Sequence, residues 1–174
     1  MKIISCFLLA LFLLTFTNTN LFAQNKNLTI ILLRHAEKDT SPEVDDFDPA
    51  LSPEGKLRSE RLVKILKKYN TRRIYSTSFK RTRLTVTPWA ENADRQYRLP
   101  IQIYDAQKLN EFADFLMQGK TRRIVVVGHS NSIPRLANLL IKQQKYKDLE
   151  ESEYNKIWII KIRGNKVKEK VIEY

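Results

Sequence analysis

Both histidines of this 174-residue chain closely follow an apolar stretch. His35 comes after residues 28–33 and Arg34, and His129 comes one residue after the run 124–127. Short apolar runs that stop at a polar residue are typical of buried parallel strands. The carboxyl ends of such strands form the crevice in which open α/β sheets bind their ligands. A single histidine at a strand end is more often structural, but two of two in equivalent positions favour one shared site.

Four short motifs occur along the chain, and two of them contain these histidines. They are residues 34–37 (RHAE), 51–55 (LSPEG), 76–82 (STSFKRT) with Thr85 following, and 127–130 (VGHS). Each motif alone is weak, because patterns this short recur by accident. Together and in this order they resemble the signature blocks of the histidine phosphatase superfamily, the phosphoglycerate mutase-like group. Ala36 stands where that family usually has glycine, at a position that we expect alanine to tolerate.

The resemblance implies phosphoryl transfer through a phosphohistidine intermediate on His35. A neutral imidazole nitrogen can act as a nucleophile, and the forked guanidinium groups of Arg34 and Arg81 match phosphate oxygens. His129 adds a further donor to the pocket. Such a pocket requires neither a metal ion nor another cofactor, and the two histidines lack further ligands at the spacings of a metal site. The alternative for the two arginines is a surface position, where most arginines lie.

The proton donor for the leaving group has no recognisable motif. Asp105 is our candidate, because it follows the predicted strand 101–104 and should lie on the same rim of the sheet as the histidines. The alternative is that Asp105 is the N-cap of the next helix. Weaker candidates lie on loops: Glu37, Asp46, Asp48 and Glu91.

Two further residues are secondary candidates for substrate binding. Ser76 ends a predicted strand and Asn131 begins a predicted helix, and both residue types are also ordinary capping choices at such positions. Glu37 and Lys38 either line the pocket or form an exposed pair on the loop.

The order of predicted elements indicates the fold. Apolar strands alternate with stretches of helical periodicity, which predicts a three-layer α/β/α sandwich with a mainly parallel sheet, phosphoglycerate mutase-like, over about residues 28–174. Residues 156–162 and 166–172 alternate around Gly164-Asn165, which predicts a C-terminal antiparallel hairpin at the edge of the sheet. Pro88 is expected to disturb the helix that begins near Phe79.

The N-terminal residues predict export. Residues 1–23 contain Lys2, the apolar run 3–16 and no acidic residue, as a signal peptide does, which leaves a domain of residues 24–174. The alternative, a membrane anchor, needs about 20 apolar residues. The only cysteine is Cys6, so cysteine-dependent phosphatase chemistry and disulfides are excluded from the mature chain. We therefore expect a periplasmic or secreted protein without a stable membrane anchor.

Charge and motif lengths limit the partners and the activity. Removal of residues 1–23 leaves 30 basic and 19 acidic residues, a net charge of +11, which implies an anionic partner and is compatible with steering of a small phosphorylated substrate. The alternative is that the charge serves solubility. No nucleic-acid partner is expected, because basic residues do not interleave with aromatic ones. We expect hydrolysis of phosphate monoesters or phosphohistidine. A mutase is less favoured, since the family's mutases carry an insertion after the arginine block, and Ser130 disfavours a phytase-like activity. The rival is an inactive phosphate- or polyanion-binding domain of the same fold.

Overall fold

Six strands and four helices alternate along the chain in the computed structural model, which describes residues 27–44, 47–92 and 98–174. The strands are β1 (Asn27–Arg34), β2 (Arg73–Ser76), β3 (Ile101–Ile103), β4 (Arg123–Gly128), β5 (Lys156–Arg163) and β6 (Lys166–Glu173). The helices are α1 (Pro53–Tyr69), α2 (Lys80–Ala90), α3 (Leu109–Gln118) and α4 (Ser132–Ile141).

The strands form one sheet in the order β3-β2-β4-β1-β5-β6. The four strands β3, β2, β4 and β1 are parallel, while β5 runs antiparallel to β1 and β6 runs antiparallel to β5. The predicted C-terminal hairpin is confirmed as the antiparallel edge of a mainly parallel sheet. Gly164, in its turn, has a φ of 54°, which glycine adopts without strain.

Buried side chains of β1 alternate between two apolar layers, as a strand covered on both faces requires. Ile30 and Leu32 pack with side chains of α3 and α4 on one face. Ile31 and Leu33 pack with side chains of α1 and α2 on the other. The predicted three-layer α/β/α sandwich is thus confirmed, and β1 and β4 lie at its centre.

The start of α1 explains why the LSPEG motif accompanies the first histidine. The hydroxyl of Ser52 caps the helix by accepting from the Gly55 N–H at 3.1 Å, and Pro53 occupies the first turn. A Cβ added to Gly55 would lie 2.2 Å from the carbonyl oxygen of Glu37. The Ser52 N–H donates to that same oxygen at 3.0 Å. Glycine therefore lets the helix approach the loop that follows His35.

The helix α2 continues through Pro88 and ends at Ala90, so the expected disturbance does not end it. Pro88 lies in the last turn, where the loss of one backbone donor interrupts little of the helix. Among the described residues, no helix has both the length and the apolar character needed to cross a membrane. The predicted signal peptide, residues 1–23, and Asp46 lie outside the described residues.

Candidate active site

His35 follows the end of β1 and is almost completely buried, with 4% of its surface exposed. Its N–H donates to the Gly128 carbonyl at 2.9 Å, which joins the ends of the two strands that carry the histidines. Its ring Nδ1 lies 2.7 Å from the carbonyl oxygen of Ala36. Because a carbonyl can only accept, Nδ1 carries the proton of the neutral ring and Nε2 carries the lone pair.

The electrostatics of the site keep His35 neutral. Burial lowers the pKa of His35 to about 3, and Arg34, His129 and Arg81 act in the same direction, while the bond to Ala36 opposes them. The ring is therefore unprotonated at neutral pH and its Nε2 is available as a nucleophile.

The main chain after His35 is fixed by the arginine motif. The Ala36 N–H donates to the Thr85 hydroxyl at 2.9 Å, and that hydroxyl donates to the Arg81 carbonyl at 2.7 Å. This explains why Thr85 follows Arg81 by one helical turn in the motif. Ala36 does not have a positive φ, so alanine fits there as expected.

His129 lies beside His35, with the two ring centroids 5.5 Å apart. Its Nε2 lies 3.0 Å from the hydroxyl oxygen of Thr77, which in turn lies 2.9 Å from that of Thr82. Thr82 donates its proton to the Phe79 carbonyl at 2.8 Å. Thr77 must then donate to Thr82 and accept from His129, so Nε2 carries the proton of the neutral His129 ring and Nδ1 is its basic nitrogen.

Burial also lowers the pKa of His129, to about 4, with contributions from Arg81 and Arg34. An anion in the site would counter the two arginines and favour the protonated ring. In that form both ring nitrogens of His129 are donors.

Arg34, the last residue of β1, is 2% exposed and is held by the segment that precedes β5. Its Nη1 donates to the carbonyl oxygens of residues 150, 151 and 153 at 2.8, 3.1 and 3.2 Å. Its Nη2 donates to the Glu151 carboxylate at 3.0 Å, and the Tyr154 ring stacks 4.1 Å from the guanidinium carbon. The buried Nε has no partner. Nε and the rest of Nη2 are therefore the donors left for a ligand.

Arg81 lies in the first turn of α2, with its guanidinium carbon 4.3 Å from the centre of the Phe79 ring. Its buried Nη1 has no hydrogen-bond partner, and the nearest carboxylate oxygen, on Asp48, is 3.9 Å away. Burial lowers the pKa of Arg81, but a guanidinium remains charged in proteins. A buried charged donor without a partner is costly, and a phosphate oxygen would satisfy it.

The side chains of the two histidines and two arginines line one open cleft of about 1100 Å³. The structure thus brings together the four principal residues of the sequence prediction. Within the described residues, no group of three or more histidine, cysteine, aspartate or glutamate side chains could hold a metal ion.

Asp105 and Asn131 also line the cleft, while Ser76 does not. Ser76 is fully buried and its hydroxyl donates to the Thr77 carbonyl at 3.0 Å, so it does not face the cleft. The next residue, Thr77, lines the cleft in its place. Asp105 is not the helix N-cap, because Lys108 occupies that position; its carboxylate accepts from the Gln107 N–H at 2.9 Å instead.

The remaining predicted residues divide between the cleft and the neighbouring surface. Asn131 is at the N-cap position of α4, but its side chain makes no capping bond. Lys38 lines the cleft, whereas Glu37 binds Arg58, with Nη2 to Oε1 at 2.6 Å. The Arg58 pairing helps to hold the pKa of Glu37 below its usual range, so Glu37 is unsuited to donate a proton.

Sequence reasoning did not identify Thr77 and Glu151 as residues of the site. It considered Asp48 as a proton donor and missed its contact with the start of α2. Asp48 accepts from the Lys80 N–H at 2.7 Å and so caps α2 in place of Phe79, which offers no capping side chain. Thr77 could have been found from its motif, one residue after Ser76. Glu151 belongs to no motif and is distant in sequence from Arg34, its partner.

The comparisons agree with this geometry. The chain matches the family model described as the histidine phosphatase superfamily (branch 1) over residues 30–121. His129 lies beyond the matched range and belongs to the site by its position in the structure. A search of curated proteins finds no match.

Several solved structures share the fold at low sequence identity. The protein histidine phosphatase SixA complexed with tungstate is 13% identical, with a TM-score of 0.63 over 84% of this chain and 97% of that one. A mycobacterial glucosyl-3-phosphoglycerate phosphatase is 12% identical, with a TM-score of 0.63 over 86% and 99%. A phosphoserine phosphatase from Entamoeba histolytica is 14% identical, with a TM-score of 0.59 over 81% and 96%. With the family match covering more than half of its length, the chain belongs to the histidine phosphatase superfamily.

Proposed function

We propose that this chain is an exported, metal-independent phosphatase that hydrolyses phosphate monoesters or phosphohistidine through a phosphohistidine intermediate on His35. The observation that carries the proposal is the state of His35. Its Nδ1 is committed to the Ala36 carbonyl, its Nε2 is unprotonated, and the charges of the buried Arg34 and the partly buried Arg81 act on it. An unprotonated nitrogen next to partly unpartnered guanidinium donors suits attack on a phosphate group.

In the first step, Nε2 of His35 attacks phosphorus in line with the leaving oxygen. The N–P bond forms as the P–O bond breaks, and the leaving oxygen takes up a proton. The unpartnered Nε of Arg34 and Nη1 of Arg81 are suited to donate to the phosphoryl oxygens, where charge is spread in the transition state. In the second step, water attacks the phosphohistidine, which releases inorganic phosphate and restores the neutral ring.

Asp105 remains our candidate for the group that protonates the leaving oxygen. Among the described residues, three carboxylates line the cleft: Asp105, Asp148 and Glu151. Asp148 is paired with Arg135 at 2.7 Å and Glu151 with Arg34 at 3.0 Å. Both carboxylates are thus engaged with an arginine, whereas the Asp105 carboxylate accepts from the Gln107 backbone N–H. Asp105 is therefore the carboxylate of this cleft that no ion pair engages among the described residues, which leaves it the best placed to serve a leaving oxygen.

The leaving group separates the two substrate classes. An alkyl or sugar oxygen is a poor leaving group without a proton, so a monoesterase needs the acid. The ring nitrogen of phosphohistidine departs more readily. Dependence of the reaction on Asp105 would therefore indicate a monoesterase, and independence would indicate a phosphohistidine phosphatase.

Turnover of a nitrophenyl phosphate by residues 24–174 tests the proposal, because the aryl leaving group needs little help. We expect His35→Ala to abolish turnover and Arg81→Ala to reduce kcat/KM by about 10²–10³-fold, as for the loss of one donor to transition-state charge. Arg83→Ala is the matched control, since Arg83 lies on the same helix, is exposed and does not line the cleft. Equal activity in all three variants would refute the proposed site.

The alternative is an inactive phosphate-binding domain, and the contacts of Arg34 are the observation in its favour. Much of that guanidinium is already committed to residues 150–153. Binding of inorganic phosphate by purified protein that turns over no substrate would establish this alternative. Export is tested separately, by the mass of the mature protein recovered outside the cytoplasm, which should lack residues 1–23.

A further inference from the structure

One end of the sheet carries a row of exposed basic side chains. It lies at the N-terminal ends of the parallel strands, opposite to the active site. We call it the basic row, and it consists of Arg72, Arg73, Arg122, Arg123, Arg163 and Lys166.

The strand register makes these residues neighbours. Arg73 lies opposite Ile124 and Arg123 lies opposite Thr29, while Arg163 lies opposite both Asn27 and Lys166. The row thus crosses five adjacent strands, from β2 to β6. At about 4.8 Å between strands it is about 19 Å wide.

Within the part of the chain that the structure describes, five of the six side chains of the basic row have no acidic partner. Among the described residues, Arg72, Arg73, Arg123, Arg163 and Lys166 take part in no ion pair. The exposed Glu91, at the end of α2, is paired with Arg98. A row of exposed basic side chains without acidic partners indicates an extended anionic surface as the partner.

The position of the N-terminal segment favours a lipid bilayer as the anionic partner surface. The chain enters the sheet at Asn27, in the middle of the basic row, and the apolar run 3–16 precedes it. The connecting residues 17–26 reach at most about 35 Å when fully extended. While the apolar run is inserted in a bilayer, this connector keeps the entry point of the chain, in the middle of the basic row, within about 35 Å of the lipid headgroups.

We propose that the basic row binds the anionic phospholipid headgroups of a bilayer, so that the active site faces away from the membrane. His35 lies beyond the opposite end of β1, about 26 Å from Asn27 at 3.3 Å per residue. This attachment is electrostatic and peripheral, so it persists after removal of residues 1–23 and is weakened by salt. It does not depend on catalysis.

Cosedimentation of residues 24–174 with vesicles tests the proposal. This piece contains every described strand and helix and both apolar layers. We expect binding to vesicles of phosphatidylglycerol and phosphatidylcholine, no binding to phosphatidylcholine alone, and loss of binding in about 0.5 M salt. Each basic side chain near the surface contributes about fivefold, so a variant with Arg72→Gln, Arg123→Gln and Arg163→Gln should bind about 100-fold more weakly.

A matched triple variant has the same net charge as the first triple variant but leaves the basic row intact. It replaces Lys56, Arg83 and Lys147 by glutamine, and all three are exposed and lie away from the row. This variant should bind within about fivefold of the unmodified protein. Equal weakening in both triple variants would overturn the proposal, and so would equal binding to neutral vesicles. Tighter binding to duplex or single-stranded nucleic acid than to anionic vesicles would also overturn it.

The orientation has its own readout, because residues 24–174 contain no cysteine. An environment-sensitive fluorophore on Asn165→Cys, in the turn beside Lys166, should respond to anionic vesicles. The same fluorophore on Thr40→Cys, on the exposed loop after β1, should not respond. Equal responses, or a response only at residue 40, would contradict the proposed orientation.

Discussion

The buried His35 should lower the stability of the fold as the pH falls, and the substitution His35→Asn should remove this contribution. The pKa of His35 is about 3 in the folded protein and about 6.5 for a histidine in an unfolded chain. Between these values the unfolded state binds a proton that the folded state does not, so stability falls as the pH falls. From pH 7.5 to pH 5.0 this single group should remove about 2 kcal/mol from the free energy of unfolding.

Urea unfolding of residues 24–174 and of a His35→Asn variant at these two pH values measures the effect. Every other titrating group is common to the two proteins, so the difference between their pH dependences reports His35. We expect the variant to lose about 2 kcal/mol less than the unmodified protein over this interval. Parallel losses would mean that His35 titrates normally in the folded state, and the argument for a buried, neutral nucleophile would then fail.

Three further predictions concern the reaction. Asp105→Asn should lower kcat/KM for an alkyl phosphate by about 10²-fold or more and hardly affect a nitrophenyl phosphate, since only a basic leaving group needs the acid; equal losses would remove Asp105 from the mechanism. Thr77→Val should lower kcat/KM about tenfold, because it removes the acceptor that orients His129, and the same substitution added to the inactive His35→Ala variant should leave the substrate affinity of that variant unchanged. Unaltered kinetics of Thr77→Val would show that this hydrogen bond does not contribute to catalysis. Activity should survive exhaustive chelation, whereas loss with recovery in a divalent cation would require a metal-dependent mechanism.

Much of the fold was predictable because it follows from local patterns. The apolar runs of β1 and β4, the helical periodicity between strands and the glycine turn of the C-terminal hairpin each depend on neighbouring residues. That Arg34, His35, Arg81 and His129 lie in one cleft was predictable for a related reason. His35 and His129 follow strands that are adjacent and parallel, so their position along the chain fixes their proximity.

The errors arose where one residue or a tertiary contact decides the outcome. Ser76 and Thr77 are adjacent, and only the observed end of β2 shows that Ser76 lies inside the fold and Thr77 in the cleft. A turn between Asp105 and Lys108 separates Asp105 from α3, which rules out the alternative role of Asp105 as a helix cap. The Glu151 contact to Arg34 joins residues distant in sequence, and no local pattern encodes it.

The covalent intermediate provides the most direct test of the central claim. Residues 24–174 should be mixed briefly with a labelled phosphate ester, quenched in alkali, which preserves phosphohistidine, and mapped by peptide mass spectrometry. We predict an acid-labile phosphate on Nε2 of His35, absent from the His35→Ala variant and present in the Arg83→Ala control. Label that persists in His35→Ala, or that maps to a serine or to His129, would contradict the assignment of His35 as the nucleophile.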